Sequence, residues 1–123
     1  MQPADHRWDT MFWNRAMETI RPDELADLQL KRLKWTLSQA QEVGLYKRKF
    51  KEAGVSPDEI RTLDDVEKLP FTYKKELQAG YPFGLFAVPM KKIVRIHTTS
   101  GTTGKPTVVG YTRQDLDNWS ELI

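Results

Sequence analysis

The sequence predicts an incomplete α/β fold, in which a helical N-terminal region leads into a single β–loop–β–helix unit. Three observations carry this. Apolar residues at Ala26, Leu30, Leu33, Leu37 and Ala40 recur at helical spacing. Ile93-Val94-Arg95-Ile96-His97 and Thr107-Val108-Val109-Gly110-Tyr111 are β-type runs flanking a loop of Gly, Thr and Ser. Thr112, with Asp115 three residues on, opens a last helical stretch in which Leu116, Trp119 and Ile123 share a face. Two strands cannot build a sheet with its own covered core. The expected division is therefore a helical region over 1–90 and the start of an α/β core over 91–123, the whole being part of a longer protein.

Taken in order, residues 1 to about 20 hold Trp8, Phe12 and Trp13 without a clear period, as a segment lying against something else would. Arg21-Pro22-Asp23-Glu24 reads as a helix start, because proline suits the first turn and acids suit the positive end of the dipole. Gly44 is expected to end that helix. A second helix is expected from Leu45 to Ala53, stopped by Gly54. Ser56-Pro57-Asp58-Glu59 carries a capping signature, and Thr62 is expected to cap a short helix through Val66. Pro70 forces a break, and Thr72 is placed as the cap of a further short helix, Tyr73 to Gln78. YPFGLFAVP, residues 81 to 89, reads as a buried connector whose Phe83 and Phe86 fill the core. The four tryptophans are expected in core or interface, with Trp8 and Trp13 exposed if the rest of a domain is missing.

Composition narrows the function classes. With 39% hydrophobic and 29% charged residues in 123, the chain suits a soluble globular protein. No apolar run approaches the roughly 18 residues of a membrane helix, and no basic region followed by an apolar stretch marks a signal peptide. A cytoplasmic location is the expectation. The absence of cysteine excludes disulfides, thiolate metal sites and a cysteine nucleophile. A net charge of +2, with local clusters at Lys47-Arg48-Lys49, Lys74-Lys75 and Lys91-Lys92, reads as solvated faces beside balancing acids, not as a nucleic-acid surface. Neither a nucleic-acid nor a membrane partner is expected.

The chemistry concentrates in His97-Thr98-Thr99-Ser100-Gly101-Thr102-Thr103-Gly104-Lys105-Pro106. Glycine at 101 and 104 permits positive φ and lets backbone approach a ligand. Successive amide N–H groups in such a turn form a concave anion site. Ser100, Thr102 and Thr103 add hydroxyl donors, and Lys105 adds charge suited to phosphate. The glycines stand three apart and Pro106 follows the lysine, so this is not a Walker A loop, and a strand rather than a helix is expected next. The residues alone leave a polar hairpin turn open as the alternative. His97, at a strand end, reads as structural.

Ser100-Gly101-Thr102-Thr103-Gly104-Lys105-Pro106 resembles the phosphate-binding signature of the adenylate-forming superfamily, which includes acyl- and aryl-CoA ligases. The flanks, RIHTTSGTTGKPTVVGYTRQDLDNW and KLPFTYKKEL with YPFGLFAVP, resemble the phenylacetate–CoA ligase family, and the similarity runs from about Leu25 to Trp119. The resemblance implies a start of the AMP-binding core of an adenylate-forming domain. It implies Mg-ATP and coenzyme A as co-substrates and an aromatic acid, phenylacetate first, activated as the acyl-adenylate. It also implies that Thr99, Ser100, Gly101, Thr102, Thr103, Gly104 and Lys105 contact ATP phosphates. Thr98-Thr99 departs mildly from the smaller residue and serine expected there. The aryl-acid pocket, the acids serving Mg²⁺, the hinge and the catalytic lysine would lie elsewhere, so no catalytic residue or metal ligand is assigned here and the chain alone is expected to be inactive. A ligase for another acid, or a non-enzymatic helical interaction module, is the alternative. The unpaired strand edge predicts self-association, as a homodimer or by swapping 93–123.

Overall fold

The longest element of the computed structural model, which describes residues 11–100 and 104–123, begins at a proline. Arg21 is extended and Pro22 opens α2 (Pro22–Ala40), where a missing N–H costs nothing because the first turn has no partner for it. The expected stripe faces inward: Leu37 is buried, and Ala26, Leu30, Leu33 and Ala40 are half-buried. Before it, α1 (Arg15–Glu18) is one turn that the aperiodic segment did not announce. It exists through reciprocal capping: Asn14 Oδ1 accepts from Met17 N at 3.2 Å and Glu18 Oε1 from Asn14 N at 2.7 Å.

Gly44 does not end α2 but begins α3 (Gly44–Ala53). The last turn of α2 closes instead through the N–H groups of Gln41, Glu42 and Val43, which reach the carbonyls of Leu37, Gln39 and Ala40. Those bonds consume the carbonyls a left-handed glycine would have served, and the buried Val43 anchors the turn. Gly54 does end α3, at φ 63°, a conformation a side chain disfavours. Leu37, Phe50 and Ile60 form the core, with Leu33, Ala40, Tyr46, Val55 and Leu69 packed around them; Ile60 is 0% exposed.

The chain reaches Ile60 through a 3₁₀ turn, Pro57–Glu59, in which the Glu59 carboxylate accepts from Ser56 N at 3.1 Å. Thr62 does not cap the next element. The segment tightens to a 3₁₀ helix, Asp64–Lys68, and the Asp65 carboxylate reaches back to the N–H groups of Arg61 and Thr62, both at 2.8 Å. An ionised carboxylate accepts these donors more strongly than a hydroxyl. The cap of α4 (Lys74–Ala79) is likewise Tyr73 rather than Thr72, because Glu76 accepts from Tyr73 N at 2.8 Å. Lys49 of α3 pairs with Glu76 and lies 5.7 Å from the Tyr73 ring centroid, pinning α4 to α3.

The connector is not buried throughout. Gly84 N bonds the Gly80 carbonyl at 2.8 Å, and this tight turn leaves Tyr81, Pro82 and Phe83 outside while Leu85–Val88 are half-buried. A 3₁₀ turn, Met90–Lys92, then delivers β1 (Ile93–Thr98), which pairs antiparallel with β2 (Val108–Thr112). The register sets Ile96 opposite Gly110, His97 opposite Val109 and Thr98 opposite Val108, with an irregularity between Ile93 and Arg95. Phe86 covers one face of the hairpin: a Cβ on Gly110 would stand 2.7 Å from its ring. On the other face Trp119 of α5 (Arg113–Ser120) meets His97 and Tyr111.

Trp35 is not a core residue but 64% exposed, whereas Trp13, 79% exposed, stands open as expected of an incomplete domain. Trp35 precedes the buried stripe position Leu37 by two residues, which on a helix turns it away from the core. Trp8 lies outside the described residues.

Candidate functional site

The loop is carried on the hairpin, and the hairpin is held by α5. Thr112 is a reciprocal cap: its Oγ1 donates to the Asp115 carboxylate at 2.8 Å and accepts from Asp115 N at 3.3 Å, while its own N–H donates to that carboxylate at 2.8 Å. The cap turns the chain from strand to helix immediately after Tyr111. Trp119 then returns over the sheet. Tyr111 and Trp119 stack at 5.6 Å, and His97 meets their edges at 5.0 and 5.9 Å. His97 is exposed, and its ring lies against Tyr111 and Trp119 on the face it shares with Val109 and Tyr111.

Above this stack the strands give way to the loop. Thr99 N donates to the Thr107 carbonyl at 3.1 Å, and Thr107 N donates back to Thr99 Oγ1 at 3.0 Å. Ser100 comes next, exposed. Gly101, Thr102 and Thr103 lie outside the described residues. On the returning side Gly104 has φ 137°, with open space where a Cβ would sit, and Lys105 is exposed. The structure therefore brings Thr99, Ser100, Gly104 and Lys105 to the two sides of one loop.

The loop runs into β2, so no helix N-terminus assists an anion here. Donors must come from loop amides, hydroxyls and Lys105. The wider charge suits them. Between residues 91 and 113 stand Lys91, Lys92, Arg95, Lys105 and Arg113, and no acid. This donor set fits a phosphate chain. Among the described residues no group of three or more His, Cys, Asp or Glu gathers that could hold a metal ion.

Among the described residues, two carboxyls are held below the usual carboxylate range, and both belong to the helical region. Asp65 is lowered first by Lys68, whose Nζ lies 2.6 Å away, then by the N–H groups of Arg61 and Thr62. Glu76 is lowered first by Lys49 and then by Tyr73 N–H. A cleft of about 1160 Å³ between α1, α2 and the end of α5, walled by Trp13, Met17, Trp35 and Leu122, includes no loop residue.

Sequence reasoning missed the aromatic stack and the hydroxyl at the loop's neck. The first had a signal: strand alternation puts His97 and Tyr111 on matching faces once the register is known. The second had none, because only the observed register brings Thr99 to Thr107.

No family model matches the chain. It is 57% identical over 108 residues to the phenylacetate-coenzyme A ligase of Escherichia coli K12, covering 87% of this chain and 25% of that protein. It is 46% identical over 114 residues to the phenylacetate-coenzyme A ligase of Thermus thermophilus, covering 92% and 26%. Among solved structures it matches 2-hydroxyisobutyryl-CoA ligase with 2-HIB-AMP in the postadenylation state, at TM-score 0.73 and 35% identity over 94% of this chain and 24% of that one. The same ligase with 2-HIB-AMP and CoA in the thioesterification state matches at TM-score 0.73 and 36% identity, over 94% of this chain and 25% of that one. The chain spans about a quarter of the length of these relatives. Its helical region and hairpin are part of a CoA-ligase fold.

Proposed function

We propose, for a chain that belongs to the phenylacetate–CoA ligase family and spans about a quarter of its members' length, that the whole protein activates an aromatic carboxylate with ATP and transfers it to coenzyme A, with phenylacetate as the acid. A carboxylate oxygen attacks the α-phosphorus of ATP, the bond to pyrophosphate breaks, and the acyl-adenylate forms. The thiol of coenzyme A then attacks the acyl carbon, loses its proton and displaces AMP. The observation that carries this reading is the loop sequence, a run of hydroxyls, glycines and Lys105 between two paired strands, within a basic stretch that holds no acid.

In this reading Ser100, Gly101, Thr102, Thr103, Gly104 and Lys105 hold the β- and γ-phosphates. Negative charge grows on the departing pyrophosphate, so fixed donors there stabilise the transition state more than the ground state. They also align the α-phosphorus for in-line attack. Mg²⁺ would arrive with the nucleotide or be held by residues outside this chain. The chain alone would be inactive, and the enzyme would work in the cytoplasm.

The test is carboxylate-dependent ATP–pyrophosphate exchange by the full-length protein, with phenylacetate, benzoate and a medium-chain fatty acid, and with this chain as control. Phenylacetate should drive exchange best and the control should show none. No exchange with any acid of a broad panel would overturn the reading. The 123-residue chain by itself should also self-associate, because Val94, Ile96 and Val109 stand exposed on its two-stranded sheet. A single monomeric species in sedimentation velocity at high concentration would contradict this.

A further inference from the structure

Thr99 stands one residue beyond the last rung of the ladder, Thr98 opposite Val108. In a regular antiparallel pair the next N–H on the returning strand would meet a carbonyl. Here the Thr107 N–H meets a side chain, Thr99 Oγ1, at 3.0 Å, while the Thr99 N–H takes the Thr107 carbonyl at 3.1 Å. Pro106 has no N–H, so Thr107 carries the first backbone donor of the returning strand after Lys105. The Thr99 hydroxyl thereby closes the neck of the loop from Ser100 to Pro106.

We propose that Thr99 is a positioning residue, whose hydroxyl clamps the neck of the loop and pre-forms its phosphate-binding shape, instead of a residue that contacts phosphate itself. This rests on the phosphate-binding reading of the loop. Gly104 holds φ 137°, a conformation glycine reaches easily and other residues rarely, so its backbone has more freedom to lose when a ligand binds. Anchoring both ends at Thr99 and Thr107, above strands braced by the His97–Tyr111–Trp119 stack, raises the fraction already in the binding shape. Apparent affinity scales with that fraction, whereas the rate from the bound state does not.

The experiment compares Thr99→Val and Thr99→Ser with wild type in the full-length protein. Valine keeps the shape and removes the acceptor; serine keeps the acceptor. In phenylacetate-dependent ATP–pyrophosphate exchange, Thr99→Val should raise the KM for ATP about fivefold, the effect of one ordinary hydrogen bond on the competent fraction, with kcat within about twofold. Thr99→Ser should restore the wild-type KM. Amide hydrogen exchange without nucleotide should quicken across residues 104–109 in Thr99→Val and not in Thr99→Ser. Amide exchange unchanged by the valine, or a loss in kcat at unchanged KM, would overturn the proposal. If wild type shows no pyrophosphate exchange, the ligase reading fails separately, and the amide measurement still decides whether the clamp exists.

Discussion

Lys105 and Asp65 show how differently two charged side chains serve this chain. Lys105 is exposed beside Gly104, with no acid in the stretch around it, so its charge is available to a ligand. In the complete enzyme Lys105→Ala should lower kcat/KM for ATP by about tenfold or more, as loss of a charge-assisted contact does, with the KM for coenzyme A unchanged in steady-state kinetics. Asp65 is spent on the fold, tied to Lys68, Arg61 and Thr62. Its folded pKa lies below its ordinary value of 3.8, so its contribution is fully present above that value and is lost as pH falls below it toward the folded pKa. Glu76 acts in the same sense from 4.5. The unfolding temperature should therefore fall as pH drops below about 4.5 and go on falling below 3.8, and Asp65→Asn should flatten the lower part of that fall in scanning calorimetry. Lys105 was legible as a ligand candidate from its neighbours in sequence. Asp65 was not legible as a cap, because its reach back to Arg61 and Thr62 depends on the backbone tightening to 3₁₀.

The most readable boundary was the start of α5; its end was not, because the helix stops at Ser120 and leaves Ile123, expected on the face of Leu116 and Trp119, beyond it and 96% exposed. Threonine with an acid three residues later named its cap, and the structure shows both halves of that exchange. Removing it should matter beyond the helix, since α5 carries Trp119 onto His97 and Tyr111. Thr112→Ala should cost about 1 kcal/mol, measured by urea unfolding, and Thr112→Ser should recover most of it. The start of α2 was equally legible, because proline and acids act locally on the first turn. Its end was not. Glycine is a common terminator, yet Gly44 opens α3, since the buried Val43 and three backbone bonds had already closed α2. A terminator residue states what the backbone is free to do, and the burial of its neighbour states what it does.

Among the described residues, the buried cluster of Leu37, Phe50 and Ile60 lies where α2, α3 and the Ile60 turn meet. Ile60 has no exposed surface, so Ile60→Ala should destabilise by about 2–5 kcal/mol through lost burial and the cavity left behind, read as a lower midpoint in urea unfolding. That is a large part of the stability of an ordinary domain. The hairpin residues are not part of that cluster; Phe86 packs against Gly110 and Trp119 against His97 and Tyr111. The sequence by itself determined the helical stripe, the two strands, the capping box and the loop as the place of chemistry, because periodicity, caps and turn chemistry act over a few residues. Only the tertiary structure decided that Trp35 faces outward, that Phe86 packs on Gly110, and that Thr99 meets Thr107, because each depends on register and on which surfaces come together, and those are set by burial between segments distant in the chain.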